Sequence, residues 1–122
     1  MGIEIKRIYE ESSSKDGMRI LVDRLWPRGV SKEKARLDMW LKDVAPSTEL
    51  RRWFSHDAGK WAEFQERYRH ELQSKRDLLL DLKKKAAKGR ITLLYGAKDE
   101  SHNEAVVLQA LLQTKGWASA SK

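Results

Sequence analysis

Three segments of the chain have the hydrophobic pattern of β-strands. Residues 3–9 alternate apolar and polar side chains, which is typical of a half-buried strand. Residues 19–25 begin as an apolar run and predict a second strand. Residues 90–97 are apolar almost throughout, which predicts a strand at the centre of a sheet with both faces covered. The polar connection over residues 10–17 permits a hairpin between the first two strands, and a crossover between parallel strands also remains open.

Between and after these strands the apolar positions recur at helical spacing. Short helices are predicted after Ser31 and after Ser47, and longer ones over residues 59–74, 75–88 and 103–115. The helix over residues 59–74 has an apolar stripe at spacings of three and four, formed by Trp61, Phe64, Tyr68 and Leu72.

Residues that start and stop helices occur at the boundaries of these segments. Asp57 is placed to cap the longest helix, and Gly89 is placed to end the one that follows it. Ser101 and Glu104 fit a capping box, in which each side chain would satisfy a backbone donor near the other.

Strands followed by helices, with a buried last strand, predict a small three-layer α/β domain with a short, mostly parallel sheet flanked by helices. We expect one domain over residues 1–117 and a frayed tail over residues 118–122. The chain has 122 residues and no cysteine, which excludes disulfides, thiolate catalysis and cysteine-based metal sites. No apolar run approaches the roughly 20 residues that span a bilayer, so we expect a cytoplasmic protein without a membrane partner.

The carboxyl ends of the predicted strands bring candidate binding residues together. Ligands of open α/β sheets bind at these ends, and here Tyr9, the turn over residues 24–28 and the turn over residues 98–103 would meet. The net charge of +7 favours anionic partners, although it also suits ordinary solubility. Guanidinium groups match phosphate or carboxylate geometry, so we expect Arg24 and Arg28 to hold an anion. The alternative is that Arg24 pairs internally and braces the fold.

Other residues of these two turns would complete such a site. Lys98 adds a point charge near a helix N-terminus, where anions are favoured. Asp99 and His102 are candidates for proton transfer, with Asp99 orienting His102 or acting as the base. Asn103 would orient the ligand, and Trp26 or Trp53 could stack on a ring if either lines the site. The alternative for the later turn is a plain surface cap, and for the tryptophans core packing.

Several other kinds of site find no support in the sequence. His56, His70 and His102 lack the spacing of zinc ligands, so no metal and no cofactor are expected. The phosphate-binding loop motif and the Gly-x-Ser-x-Gly elbow are both absent. A basic cluster lies at the C-terminal end of the predicted helix over residues 75–88 and would suit either solvent or nucleic acid; it comprises Lys83, Lys84, Lys85, Lys88 and Arg90.

Four stretches carry a family resemblance: residues 22–29, 41–47, 53–57 and 93–99 with His102-Asn103. They resemble the YeaO-like branch of domain-of-unknown-function family 488, over nearly the whole chain. The resemblance implies a single-domain bacterial or archaeal α/β protein of the cytosol and supplies no activity. Longer members of the wider family carry a cysteine-histidine-arginine motif near the position of His102. This chain lacks that cysteine and arginine, so chemistry that depends on them does not carry over.

The sequence therefore predicts a protein that binds a phosphate- or carboxylate-bearing metabolite such as a nucleotide. An extension of this hypothesis is that the protein also acts on that metabolite as an enzyme. Whether it is an enzyme stays open. The competing hypothesis is a nucleic-acid or protein interaction module that uses the basic cluster near residues 83–90.

Overall fold

The computed structural model describes residues 2–114, and the sheet at its centre has four strands. In chain order they are β1 (Ile3–Arg7), β2 (Met18–Leu21), β3 (Met39–Trp40) and β4 (Ile91–Tyr95). Their order across the sheet is β1-β4-β2-β3, and every pairing is parallel. The prediction of a small α/β domain with a mostly parallel sheet is confirmed. The frayed tail predicted for residues 118–122 lies outside the described residues.

The position of β4 confirms the prediction made from its continuous apolar sequence. All five of its residues are buried, and it lies between β1 and β2. Leu93 pairs with Ile5 on one side and with Ile20 on the other. Because β4 separates the first two strands, the hairpin alternative is excluded. The two-residue strand β3 was not predicted, since so short a segment has no measurable period.

The link from β1 to β2 is a crossover that contains no α-helix. It crosses one face of the sheet, where Thr92 Oγ1 donates a hydrogen bond to the carbonyl of Asp16 at 2.7 Å. The link ends at Gly17, whose φ of +66° is unfavourable for residues with a side chain. A Cβ at Gly17 would lie 2.1 Å from the carbonyl oxygen of Arg90, so glycine is required for this close approach.

Within residues 2–114, five α-helices surround the sheet; they are α1 (Lys32–Ala35), α2 (Thr48–Phe54), α3 (Trp61–Leu72), α4 (Arg76–Lys88) and α5 (Glu104–Gln113). The predicted caps Ser31 and Ser47 are confirmed, since each side chain accepts a backbone N–H of its helix. Asp57 caps the short 3₁₀ turn that leads into α3, and Gly89 follows the end of α4.

The capping box predicted from Ser101 and Glu104 is wrong. Asn103 is the N-cap of α5, because its side-chain oxygen accepts the N–H of Val106 at 3.1 Å. The Asn103 amide also donates to the carbonyl of Asp99 at 2.9 Å, which fixes the preceding turn. Glu104 is therefore the first helical residue, and its side chain is free to enter the cleft described below.

The two faces of the sheet are covered unequally. One face packs against α2, α3, α4 and α5, and its largest cluster includes Leu93, Tyr68 and Leu108. The predicted stripe of α3 belongs to this core, with Phe64, Tyr68 and Leu72 buried and Trp61 half-buried at its edge. The other face carries a smaller cluster that is covered by α1 and by the loop after β2. No helix of residues 2–114 is both long and apolar enough to cross a membrane.

Candidate functional site

A cleft of about 620 Å³ opens where the parallel strands end. Its walls come from three segments that follow strands or precede helices, namely residues 23–28, 45–56 and 96–104, with Tyr9 at the margin. This is the edge of the sheet at which open α/β folds bind ligands. The size also falls within the range of small-molecule sites, which is about 300–1,000 Å³.

The structure places most of the predicted site residues in this cleft. Six of them line it: Tyr9, Arg24, Trp26, Arg28, His102 and Asn103. Lys98 and Asp99 lie outside the lining, although Asp99 contacts His102. The turn after β2 and the turn after β4 therefore meet at the cleft, as predicted. The lysine of the later turn, Lys98, does not line the cleft.

The arginines of the cleft differ in how much the protein itself uses them. Arg24 is half-buried, and its Nε and Nη2 lie 3.3 Å from the carbonyl oxygens of Pro46 and Ala45. Arg28 is exposed, and its guanidinium makes no hydrogen bond or ion pair with residues 2–114. Arg24 thus braces a neighbouring loop, whereas the guanidinium of Arg28 is available to a ligand.

Arg51 is a second available guanidinium that sequence reasoning did not single out. It is exposed on α2, it lines the cleft, and within the described part of the chain its side chain has no hydrogen-bonded partner. Its neighbour Arg52 is also exposed but lies outside the lining. The orientation of α2 decides between the two, and no local pattern distinguishes them.

The loop that precedes α2 is fixed from several directions. Buried Tyr68 donates its hydroxyl hydrogen to the carbonyl of Val44 at 2.6 Å. Lys75 donates to the carbonyl of Ala45, which Arg24 also contacts. Glu71 accepts both the backbone N–H and the hydroxyl of Ser47. This wall of the cleft is therefore held in place before any ligand binds.

A pair of carboxyl groups, Asp23 and Glu104, also lines the cleft. Asp23 Oδ2 accepts the N–H of Gly96 at 2.8 Å, which ties the loop after β2 to the end of β4. Burial raises the pKa of the Glu104 carboxyl well above 4.5, and a hydrogen bond with Asp23 and the negative charge of Asp23 raise it further. The charge of Arg51 acts in the opposite direction. The pair therefore favours a state in which Glu104 keeps its proton.

Glycine at position 96 permits the close contact between Asp23 and the end of β4. A Cβ at Gly96 would lie 3.0 Å from Asp23 Oδ2, which is closer than ordinary van der Waals contact. The missing side chain lets the carboxylate approach the backbone N–H. Sequence reasoning found neither Asp23 nor Glu104, because Glu104 was expected to cap its own helix.

His102 is oriented by Asp99, as one of the two predicted roles for that aspartate requires. The distance from His102 Nδ1 to Asp99 Oδ2 is 2.8 Å, and the ring of Trp61 lies edge-on at 5.1 Å between centroids. This hydrogen bond lowers the pKa of the Asp99 carboxyl. When Nδ1 carries the proton, Nε2 is left as a hydrogen-bond acceptor at the cleft.

His56 reaches the cleft from a strained turn after α2. Ser55 and His56 have φ values of 46° and 57°, so two consecutive residues with side chains are left-handed. Such conformations cost about 1–3 kcal/mol each, and they cluster at functional sites. The neighbours His56 and Asp57 have different roles: His56 lines the cleft, and Asp57 caps the next turn.

The two candidate stacking tryptophans have different surroundings. Trp26 lines the cleft, while its indole N–H donates to the carbonyl of Val30 at 2.6 Å and its ring packs edge-on against Trp40. Trp53 lies in a separate groove, where the charged ends of Arg67 and Lys60 contact its ring. Of the two, only Trp26 can contact a molecule in the cleft.

Some side chains of the basic cluster already bond to other residues of the protein. Lys85 forms an ion pair with Asp81 at 2.5 Å, and Arg90 donates to the carbonyl of Lys15. Lys84 and Lys88 are exposed, and Lys83 is half-buried. No group of acidic or histidine side chains within residues 2–114 could hold a metal ion.

The fold and the cleft together define the class of this protein: it is an α/β domain with an open cleft at the carboxyl ends of its parallel strands. A family model described as "Inactive DUF488-N3 subclade" matches residues 2–120, so the chain belongs to this family. It is 44% identical to the uncharacterized protein YeaO of Escherichia coli over 119 residues, covering 93% of this chain and 99% of the relative. This bears out the resemblance to YeaO-like proteins noted from the sequence.

Mycobacterial relatives extend the same similarity. The chain is 38% identical over 110 residues to uncharacterized proteins of Mycobacterium bovis and Mycobacterium tuberculosis, with 90% of this chain and 92% of each relative covered. No solved structure matches the chain significantly.

Proposed function

We propose that the chain binds a small metabolite bearing a phosphate or carboxylate group in the cleft at the carboxyl ends of the strands. The observation that carries this proposal is the pair of exposed guanidiniums, Arg28 and Arg51, which line one cleft and have no hydrogen-bonded partner within residues 2–114. Guanidinium groups form bidentate hydrogen bonds with phosphate and carboxylate groups, and they stay charged at physiological pH.

Binding without turnover is the simpler version of this function. The family description contains the word "Inactive", and it is consistent with a protein that holds a ligand without transforming it. His102, oriented by Asp99, provides a proton acceptor if the protein also acts on its ligand. We place this activity in the cytosol, which suits a chain without cysteine.

The competing proposal, nucleic-acid or protein binding through the basic cluster, has less support from the side-chain contacts. Lys85 and Arg90 are engaged by the protein itself, and acidic Asp81 lies among the lysines. Lys84 and Lys88 remain exposed, and a surface of this kind would bind polyanions with an affinity that falls steeply as salt increases.

A thermal-shift screen against phosphate, pyrophosphate, nucleotides and small carboxylates tests the proposal. We expect saturable stabilisation by at least one phosphate- or carboxylate-bearing compound, with a large loss in Arg28→Ala and in Arg51→Ala. Arg52→Ala is the matched control, because Arg52 is equally exposed on the same helix but lies outside the cleft lining.

Equal losses in Arg51→Ala and Arg52→Ala would show a general charge effect and would refute the cleft as the site. Stabilisation that is insensitive to both cleft arginines but lost in a Lys84→Ala, Lys88→Ala double variant would favour the basic cluster instead.

A further inference from the structure

The cleft is much larger than the anion that its arginines would hold. Its volume of about 620 Å³ is that of a site for a whole small molecule, and a single phosphate group fills only a small part of it. The rest of the lining must therefore contact another portion of the ligand. That portion can be inferred from the remaining side chains.

The carboxyl pair sets the chemistry of this second portion. Asp23 and Glu104 share the cleft with Arg28 and Arg51, and no ion pair joins either carboxyl to either arginine in residues 2–114. Carboxyl oxygens repel a phosphate and attract groups that donate hydrogen bonds. Since Glu104 is held where Asp23 opposes its ionisation, the pair suits neutral donors better than a second cation. Hydroxyl groups are such donors.

An apolar lip adds a second feature that the fold itself does not require. Leu25 is 61% exposed, although it lies in the loop after β2 between Arg24 and Trp26. It lines the cleft with Trp26 and Pro27. An exposed leucine beside a polar cleft can cover the carbon face of a ring, because such a face is apolar while its edge carries the hydroxyls.

We propose that the ligand is a phosphorylated sugar whose phosphate lies at Arg28 and Arg51 and whose hydroxyls donate hydrogen bonds to Asp23 and Glu104. This inference rests on the proposed function of the cleft and adds the class of ligand. The loop after β2 then supplies contacts to both portions, Arg28 to the phosphate and Asp23 to the hydroxyls, with Leu25 over the ring.

Calorimetric titration of the full chain distinguishes the hydroxyl contacts from the phosphate contact. The titrants are ribose 5-phosphate, glucose 6-phosphate, inorganic phosphate and pentyl phosphate, the last of which has a phosphate and carbon chain but no free hydroxyl. We expect at least one sugar phosphate to bind about tenfold or more tightly than pentyl phosphate, a difference of roughly 1.4 kcal/mol. Arg28→Ala should weaken every phosphate compound.

Glu104→Ala tests the carboxyl pair directly. It should remove most of the preference for the sugar phosphate while leaving the affinity for pentyl phosphate and inorganic phosphate nearly unchanged. Glu104→Gln keeps a hydrogen-bond acceptor and should restore part of the preference, which a purely structural role for Glu104 would not do. Thermal unfolding of each variant establishes that it is folded under the conditions of the titration.

The outcomes separate the two proposals. If pentyl phosphate and the sugar phosphates bind equally, or if Glu104→Ala weakens all of them alike, the sugar inference is overturned and the anion cleft stands. If none of the phosphate compounds binds in a way that depends on Arg28, the sugar inference fails, and only a carboxylate-bearing ligand found in the thermal-shift screen would leave the anion cleft standing.

Discussion

Two groups of charged side chains flank the sheet, and they differ in whether the protein satisfies them. On the face crossed by the link from β1 to β2, Arg19 is 4% exposed and donates to Asp16 at 2.5 Å and to the carbonyl of Ala35. Asp16 is 8% exposed and also accepts from Lys6. At the carboxyl ends of the strands, Arg28 and Arg51 are exposed and have no such partner within residues 2–114.

The difference shows what the same residue type does in two surroundings. Each of the three guanidinium nitrogens of Arg19 donates a hydrogen bond, and together these bonds join the crossover link to the end of α1, so Arg19 holds the fold together. The guanidiniums of Arg28 and Arg51 make no comparable hydrogen bonds within residues 2–114. A charged side chain that the fold does not use is the better candidate for contacting a ligand.

The largest expected effect comes from breaking the buried group. Asp16→Asn should lower the free energy of unfolding by about 3–5 kcal/mol, because it leaves Arg19 buried without its counter-charge. Urea denaturation measures the loss. Glu63→Gln, which removes the exposed ion pair between Glu63 and Arg67, is the control and should cost less than about 1 kcal/mol. Similar costs in the two variants would remove the distinction on which the comparison rests.

The carboxyl pair of the cleft should show itself in the pH dependence of stability. The pKa of Glu104 is raised in the folded state, so its stabilising effect is complete below 4.5 and is lost as pH rises through the folded-state pKa. Glu104→Gln does not ionise, so its stability relative to wild type should rise between pH 4.5 and the folded-state pKa of Glu104, by at most about 1.4 kcal/mol per pH unit, and should level off above that pKa. Urea denaturation at a series of pH values measures the difference.

A difference between Glu104→Gln and wild type that stays constant with pH would show that Glu104 titrates normally. The pH series also separates the two regions, since the pKa of Asp16 is lowered despite its burial, by hydrogen bonds from Ser13, Lys6 and Arg19. The stabilising effect of Asp16 is therefore lost only as pH falls below 3.8, at the opposite end of the range.

Tyr68→Phe should have a smaller effect that connects the core to the cleft. It removes the donor to the carbonyl of Val44, and we expect a loss of about 1–2 kcal/mol, measured by urea denaturation. Because Val44 precedes the loop braced by Arg24, the variant should also weaken anion binding modestly. Unchanged anion binding would show that this wall of the cleft does not need the tyrosine to stay in place.

The smallest expected effect on stability belongs to the free arginines. Arg28→Ala and Arg51→Ala should each change the free energy of unfolding by no more than about 0.5 kcal/mol, because neither side chain forms a hydrogen bond or an ion pair within residues 2–114. Urea denaturation without added anions checks this. A loss above about 1 kcal/mol in either variant would mean that the fold uses the residue and would weaken the contrast with Arg19.

The sequence predicts the framework of the sheet well, and the reasons are local. The nearly continuous apolar run before Gly96 predicts a strand buried on both faces, and β4 is buried throughout. Ser31 and Ser47 precede helices with free N–H groups and cap them. The cap of α5 was misassigned because Asp99, Ser101 and Asn103 can all accept such groups. Asn103 caps the helix, and its amide also bonds the carbonyl of Asp99.

The site was predictable in outline and not in its chemistry. The rule that ligands bind where parallel strands end brought Tyr9, Arg28 and His102 together, and all three line the cleft. Arg51 and Glu104 depend on how α2 and α5 are oriented, which tertiary packing decides. The left-handed turn at Ser55 and His56 has no signature in a sequence that lacks glycine there.

Nuclear magnetic resonance of the arginine side chains during titration with pyrophosphate tests the central claim most directly. The Nε–H signals of Arg28 and Arg51 should shift in a saturable manner, while that of Arg19, which is already bonded to Ala35, stays in place. Signals of Arg52 should move little. Shifts confined to Arg90 and the amides of the neighbouring lysines, with Arg28 and Arg51 unmoved, would contradict the account.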